Sequence, residues 1–498
     1  MIQLNLKQKL YQLVISRVDG ENVSSAPYRK ELSSLIHNGI GGFIVFGGKK
    51  DEVKEFINNS QSDSNIPLFI ASDIEKGVGQ QVEGTTGFPC QMALAAATDF
   101  NNPDDLKAFD RTIEAIADEA VDIGINMPFI PVLDVNVNPD NPIICTRAFS
   151  DNPETVSRFG QRFIQIIENK GLLSCAKHFP GHGDTSVDSH IALPVISKSQ
   201  DSLMNNDIPP FIKAIEAGVS SIMMAHLIIP AIDDLPASLS KRLISGLLRD
   251  ELGYKGLVLT DALTMDALND FDNVPTACIQ AGADIILHPS DAHAVVDELE
   301  KAIESGKVKE STIDAAVERI IKYKSNLKTI RRSAVNYAKH AHLSSLLSEK
   351  AVTLVKSAEG RLPIKNLEDI SLLYSADKDK HDTSVLKDFV STSMNIRDYQ
   401  GGELNRTVIV CLFTRIAAWE GSSGIADKEI VRIKSIISRS TASIVISFGS
   451  PYVLRHFSEA DLLIAAYDSD AQAQKAVLKS LTGETSFNGS LPVTLDIP

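Results

Sequence analysis

The chain has 498 residues, 43% hydrophobic and 23% charged, which describes a globular protein too long for one ordinary core and predicts at least two domains. Its net charge of −15 argues against nucleic acid or an anionic membrane surface as the main partner, since either would favour a basic face. Met1 to Leu10 contain no charged start leading into a long apolar run, and no apolar stretch is long enough to span a bilayer, so no secretory signal or membrane span is expected and the expected location is cytoplasmic.

In chain order, apolar runs recur at Ile40–Phe46, Leu68–Asp73, Ile130–Asp134, Leu172–His178, Ser221–His226, Leu257–Asp261 and Asp284–His288. Continuous rather than alternating apolarity fits strands buried on both faces, as in a parallel sheet. Helical patterns fall between them. Leu106, Phe109, Ile113, Ile116 and Ala120 repeat at helical spacing behind Pro103, and Leu243, Ile244, Leu247, Leu248 and Leu252 do so before Gly253. The alternation predicts a (β/α)8 TIM-like barrel over residues 1–330. A charged helical connection with Arg331-Arg332-Ser333 follows over 331–350. Strand candidates Ile370–Tyr374, Val408–Phe413, Ser443–Phe448 and Leu462–Tyr467 predict a second α/β domain, an αβα sandwich, over 351–498. It contains no GxGxxG and no GxxxxGK[ST], so no nucleotide cofactor is expected. The five cysteines, Cys90, Cys145, Cys175, Cys278 and Cys411, form no CxxC pair and read as reduced buried thiols.

The strands end on polar residues: Asp73, Asp134, Lys177-His178, His226, Asp261 and His288. Strand ends are generally more polar than strand middles, but six ends drawn from Asp, His and Lys are better explained by a barrel rim on which an active site converges. The fourth of these ends opens the densest polar run of the chain, from Lys177 through His178, Pro180, Gly181, His182, Gly183 and Asp184 to Asp188 and His190. Glycines and a proline make it a loop. Three uses are conceivable: a metal site, a carboxylate-and-histidine nucleophilic site, or a binding lid without chemistry. Pro180, Gly181 and Gly183 keep His178 and His182 from sharing a helix face, so no metal is expected. Asp188 and His190, two apart, can pair, and a carboxylate beside an imidazole fixes its tautomer and makes a proton donor and acceptor that works near neutral pH. Asp261, at the end of a buried strand, is well placed to act as a nucleophile.

The stretch from Lys177 to His190 resembles the signature loop of the β-N-acetylhexosaminidases (β-N-acetylglucosaminidases) of glycoside hydrolase family 3. Pro131–Asn136, Arg147–Ser150, Met224–His226, Pro236–Ser240, Gly256–Met265 and Gly489–Thr494 extend the likeness over nearly the whole chain. The resemblance implies a retaining exo-cleavage of terminal β-linked N-acetylglucosamine without a cofactor. Asp261 would be the nucleophile, His190 the acid and base, and Asp188 its partner. Asp73, Arg147, Lys177, His178 and His226 would hold the sugar. The implied substrates are oligosaccharides of chitin type or muropeptides from peptidoglycan recycling. Transfer to phosphate, a β-glucosidase of the same family and an inactive sugar-binding protein are the alternatives. One departure stands out: many relatives carry a sugar-contacting arginine where this chain has Gln81, which affects leaving-group preference. His182 reads as a structural donor, Asp184 as a turn former and Asp134 as a cap for backbone amides. His288 is a second rim histidine, and Trp419, the only tryptophan, is either a stacking platform or a packing residue. A loop that carries the acid is expected to take alternative positions when no sugar is bound.

Overall fold

The computed structural model describes residues 4–327, 334–377, 380–390, 392–416 and 420–497; Arg331-Arg332-Ser333 and Trp419 lie outside them. The chain divides into two units. The first comprises Met1–Phe88, Asp110–Val135 and Pro153–His340, and the second Pro89–Phe109, Asn136–Asn152 and Ala341–Pro498.

The first unit is a curled, all-parallel arrangement of eight strands: β1 (Val14–Asp19), β2 (Gly42–Phe46), β3 (Phe69–Ser72), β4 (Met127–Pro128), β5 (Cys175–Phe179), β6 (Ser221–Met224), β7 (Leu257–Thr260) and β8 (Ile286–Leu287). They form a five-stranded sheet in the order β4-β3-β2-β1-β8 and a three-stranded sheet β5-β6-β7. Isolated parallel bridges, Val132 with Lys177 and Leu259 with Ile285, connect the outer strands of the two sheets. Every residue of β3, β5, β6 and β7 is buried, which is why β3, β6 and β7 read as nearly continuous apolar runs. Helices cover them. In Lys50–Asp63 the buried residues are Val53, Phe56, Ile57 and Ser60, one helical stripe against the sheet. Each fully buried aliphatic or aromatic side chain contributes roughly 1.5–3 kcal/mol.

Two strands depart from the sequence expectation. β1 was not anticipated, because Ser16 and Arg17 interrupt its apolar residues. The expected strand Ile130–Asp134 is replaced by the shorter β4, since Pro128 and Pro131 lack amide donors. Pairing continues past it by single bonds: Cys175 N donates to Ile130 O at 2.9 Å and Leu133 N to Lys177 O at 2.6 Å. The expected helices lie at Pro103–Ile123 and Arg242–Glu251; the latter is a π-type helix whose end is closed by Leu252 N donating to Leu247 O.

The second unit is built on a six-stranded sheet with β9 (Thr353–Ser357), β10 (Ile370–Ser375), β11 (Ser393–Asn395), β12 (Thr407–Phe413), β13 (Ala442–Phe448) and β14 (Leu462–Ala465). Its order is β11-β10-β12-β13-β14-β9, parallel except for β9, which runs antiparallel to β14. Leu372, Ile409, Ile444 and Ile464 supply buried side chains from four adjacent strands. The short polar β11 and the edge strand β9 carry no apolar run and escape a sequence reading. The connection expected over 331–350 overlaps the helix Tyr337–Ala351. No described helix is long and apolar enough to cross a membrane.

Candidate active site

The site is built at the carboxyl ends of the first unit's strands. Asp73 follows β3, Lys177 and His178 are inside β5, and His226 and Asp261 follow β6 and β7. Lys177 enters from β5 as a nearly inaccessible ammonium and donates to Asp73 Oδ1 and Glu75 Oε1, each at 2.7 Å. A buried lysine is tolerated because two carboxylates compensate it. Glu75 is the partner that the sequence reading did not single out, although it shares the Asp-x-Glu spacing with Asp73.

Asp134, fully buried, organises the start of the loop. Its Oδ2 accepts from His178 Nδ1 at 2.7 Å, and its Oδ1 accepts from the backbone amides of His178 at 3.2 Å and His182 at 2.7 Å. Burial alone would raise its pKa, but the facing His178 and the His182 amide outweigh burial and hold it below the ordinary value. The peptides Lys177–His178 and Phe179–Pro180 are both cis. Gly181 lies at φ +127°, and a Cβ there would meet Asp207 Cβ at 2.8 Å, so only glycine fits the turn.

His182 is buried and pushed down to about 4, first by burial and then by His178, so its ring is neutral. Thr185 Oγ1 donates to the His182 carbonyl at 3.1 Å and receives the His182 Nδ1 proton at 2.9 Å; Ser189 Oγ donates to Nε2 at 3.1 Å. The ring therefore ties the loop's start to the residue before His190. Further along, Lys198 pairs with Asp184 at 3.2 Å and with Asp207 at 3.0 Å. Asp207 is raised to about 6 by burial, against the pull of Lys198.

At the tip, Asp188 is buried and His190 is partly exposed, with Nδ1 donating to Asp188 Oδ1 at 2.9 Å. Across from them is Asp261. Its amide donates to Met224 O at 3.0 Å, and its Oδ1 accepts from Ala262 N at 2.7 Å. Burial would raise its pKa, but His178, His226, His190 and the Ala262 amide together bring it down to about 2, so it is an anion across the neutral range.

His226 has no exposed surface. Its Nε2 donates to the Ala262 carbonyl at 3.2 Å, which leaves Nδ1 to accept from Ser238 Oγ at 2.8 Å. Burial keeps it below its ordinary pKa. Ser238, Thr185 and Ser189 are site residues that the sequence reading missed, since a serine or threonine hydroxyl carries no signal until its partner is known. His288, at the end of β8, is lowered to about 4 by burial and by Arg17. Gln81 donates to the Asp73 carbonyl at 3.2 Å and accepts from Gly47 N at 3.4 Å. Arg147 falls in the second unit, where its Nη1 donates to Ile143 O at 2.9 Å. The first unit thus gathers Asp73, Lys177, His178, Asp188, His190, His226 and Asp261. It presents an ionised carboxylate on a rigid strand end and a carboxylate-paired imidazole on a loop, a pair suited to displacement at an acetal carbon with proton transfer.

Three comparisons bear on this arrangement. A β-hexosaminidase A of Pseudoalteromonas piscicida is 35% identical over 392 residues, covering 70% of this chain and 65% of that protein. A β-N-acetylglucosaminidase/β-glucosidase of Cellulomonas fimi is 26% identical, covering 94% of this chain and 91% of its own length. The solved structure of a glycoside hydrolase family 3 β-N-acetylglucosaminidase from Paenibacillus sp. str. FPU-7 superposes over 100% of both chains with a TM-score of 0.85 and 29% identity. The model of the glycosyl hydrolase family 3 N-terminal domain matches residues 5–323, which include every strand of the first unit, and the chain belongs to that family.

Proposed function

We propose that this chain is a retaining exo-β-N-acetylglucosaminidase. The observation that carries the proposal is Asp261, held near pKa 2 at the end of β7 among three histidines, one of which is paired to Asp188 on the loop. Asp261 attacks the anomeric carbon while the bond to the leaving oxygen breaks, and His190 gives its proton to that oxygen. Water then attacks the glycosyl ester, passing its proton to His190, and Asp261 departs as a carboxylate. This differs from the usual pair of carboxylates: a neutral imidazole does not repel an incoming anion, so phosphate is the alternative acceptor.

Asp73, Lys177 and His178 hold sugar hydroxyls. His226 is better explained as a positioning residue, because both ring nitrogens are engaged by protein atoms on either side of the nucleophile's strand end. The two bridges between the sheets support a closed (β/α)8 barrel as the catalytic domain, residues 1–330, followed by an αβα sandwich over 351–498. The names of the relatives support N-acetylglucosamine as the sugar released. Chitin-type or peptidoglycan fragments in the cytoplasm are the proposed source.

The test is product analysis on a panel of β-N-acetylglucosaminides and β-glucosides, with and without phosphate. Release of free β-N-acetylglucosamine by the wild type, lost at least about 10³-fold in Asp261→Asn, is the expected result. Sugar 1-phosphate as the main product would transfer the assignment to a phosphorylase. Undiminished turnover by Asp261→Asn would overturn the nucleophile.

A further inference from the structure

The loop that carries His190 presents apolar side chains to water. Val187 and Ile191 flank Asp188-Ser189-His190 and are 39% and 49% exposed, and Val195 is 56% exposed. With Leu235, they are four of the seven large hydrophobic side chains exposed among the described residues. Ile191-Ala192-Leu193-Pro194-Val195-Ile196 is an unbroken apolar run in which Ile191, Ala192 and Val195 are exposed. An exposed run of this kind stabilises nothing and invites aggregation unless it serves binding.

The strip is nonetheless an ordered surface. Ile191 N and Ala192 N donate to Asp188 O at 2.9 and 3.1 Å. Ile228 N donates to Pro194 O and Ile196 N to Ile228 O, both at 2.9 Å, fastening the strip to the segment after β6. Backbone groups of Ile191, Ala192, Pro194 and Ile196 are used internally and the Ile196 side chain is buried, while the side chains of Ile191 and Val195 face outward. Lys198 is the only lysine or arginine between residues 180 and 199, and it is paired with Asp184 and Asp207.

We infer that Val187, Ile191 and Val195 form the leaving-group subsite, and that it takes an uncharged leaving group with apolar surface in preference to one that carries a carboxylate. The inference rests on the role of His190 proposed above. A leaving oxygen protonated by His190 departs beside it, and Val187 and Ile191 are the side chains its substituent meets. Apolar contact is favourable there, and the stretch 180–199 offers an anion no lysine or arginine that is not already paired.

The experiment compares kcat/KM for phenyl, meta-propylphenyl and meta-carboxyphenyl β-N-acetylglucosaminides, whose leaving groups are similar in acidity but differ in apolar area and charge. The wild type is expected to favour propylphenyl over carboxyphenyl by about tenfold. In the double variant Ile191→Ser/Val195→Ser this preference falls to about twofold or less, and Ile191→Leu/Val195→Ile restores it. Turnover with no preference in the wild type, or with the same preference in the serine variant, overturns the inference alone. No turnover of any of the three by the wild type overturns the glycosidase reading and the inference with it.

Discussion

One oxygen of Asp188 serves His190 twice: Oδ1 accepts from the backbone amide of His190 and from its ring Nδ1, both at 2.9 Å. The backbone bond places the residue and the side-chain bond selects the tautomer with Nε2 outward. Asp188→Asn can keep both bonds through its amide oxygen but not the negative charge that stabilises an imidazolium. The expected outcome is a fall in kcat/KM of about 10²-fold for substrates with poor leaving groups, with thermal stability nearly unchanged. A purely structural role would show the reverse pattern.

His190→Ala separates substrates by the help they need. Activated aryl leaving groups depart without protonation and should lose about tenfold or less, whereas alkyl or sugar leaving groups should lose about 10²–10⁴-fold. Brønsted plots of kcat/KM against leaving-group acidity measure this, and a steeper slope in the variant is expected. Equal slopes would remove His190 from proton transfer.

Lys177→Met leaves Asp73 and Glu75 facing each other without their shared cation. Breaking a buried pair in this way costs about 3–5 kcal/mol, and the loss should appear as a lower denaturant midpoint for the first unit. The additional substitution Asp73→Asn should recover part of it by removing one stranded charge. Failure of that second change to recover any stability would mean that the lysine acts mainly through packing.

Asp207 supplies a pH signature. Its folded pKa of about 6 lies above the unfolded value near 4, so this group favours the folded state below about pH 4 and loses that contribution as pH rises through 6. Asp207→Asn has no such dependence. The unfolding free energy of variant minus wild type should therefore rise by up to about 3 kcal/mol from about pH 4 to pH 7. Chemical denaturation at several pH values tests the sign, and a flat difference would contradict it.

Much of this architecture was legible because burial on both faces leaves an unmistakable trace. β3, β6 and β7 are continuous apolar runs, and Asp73 and Asp261 immediately follow two of them. β1 and the Met127–Leu133 segment were harder to read for opposite reasons. One mixes polar residues into a strand held by its neighbours, and the other pairs through carbonyls and scattered amides that prolines leave available. The rim residues were visible by type, but their bonding was not. Nothing local to His226 announces Ser238, twelve residues away, and the link between His182 and Ser189 depends on a turn whose shape is set by Asp134 and Gly181.

The clamp that Asp134 makes on the His178 and His182 amides has a counterpart where Pro194 and Ile196 exchange bonds with Ile228. Between these two fastenings the proton carrier rides on a short arc pinned at both ends. Its encounter with the substrate is then governed by a local concentration that the tether sets, and shortening or loosening the arc changes that concentration while leaving every reacting group in place. Ile228→Pro, which removes the amide that donates to Pro194 O, would act by diluting the catalyst within its own molecule.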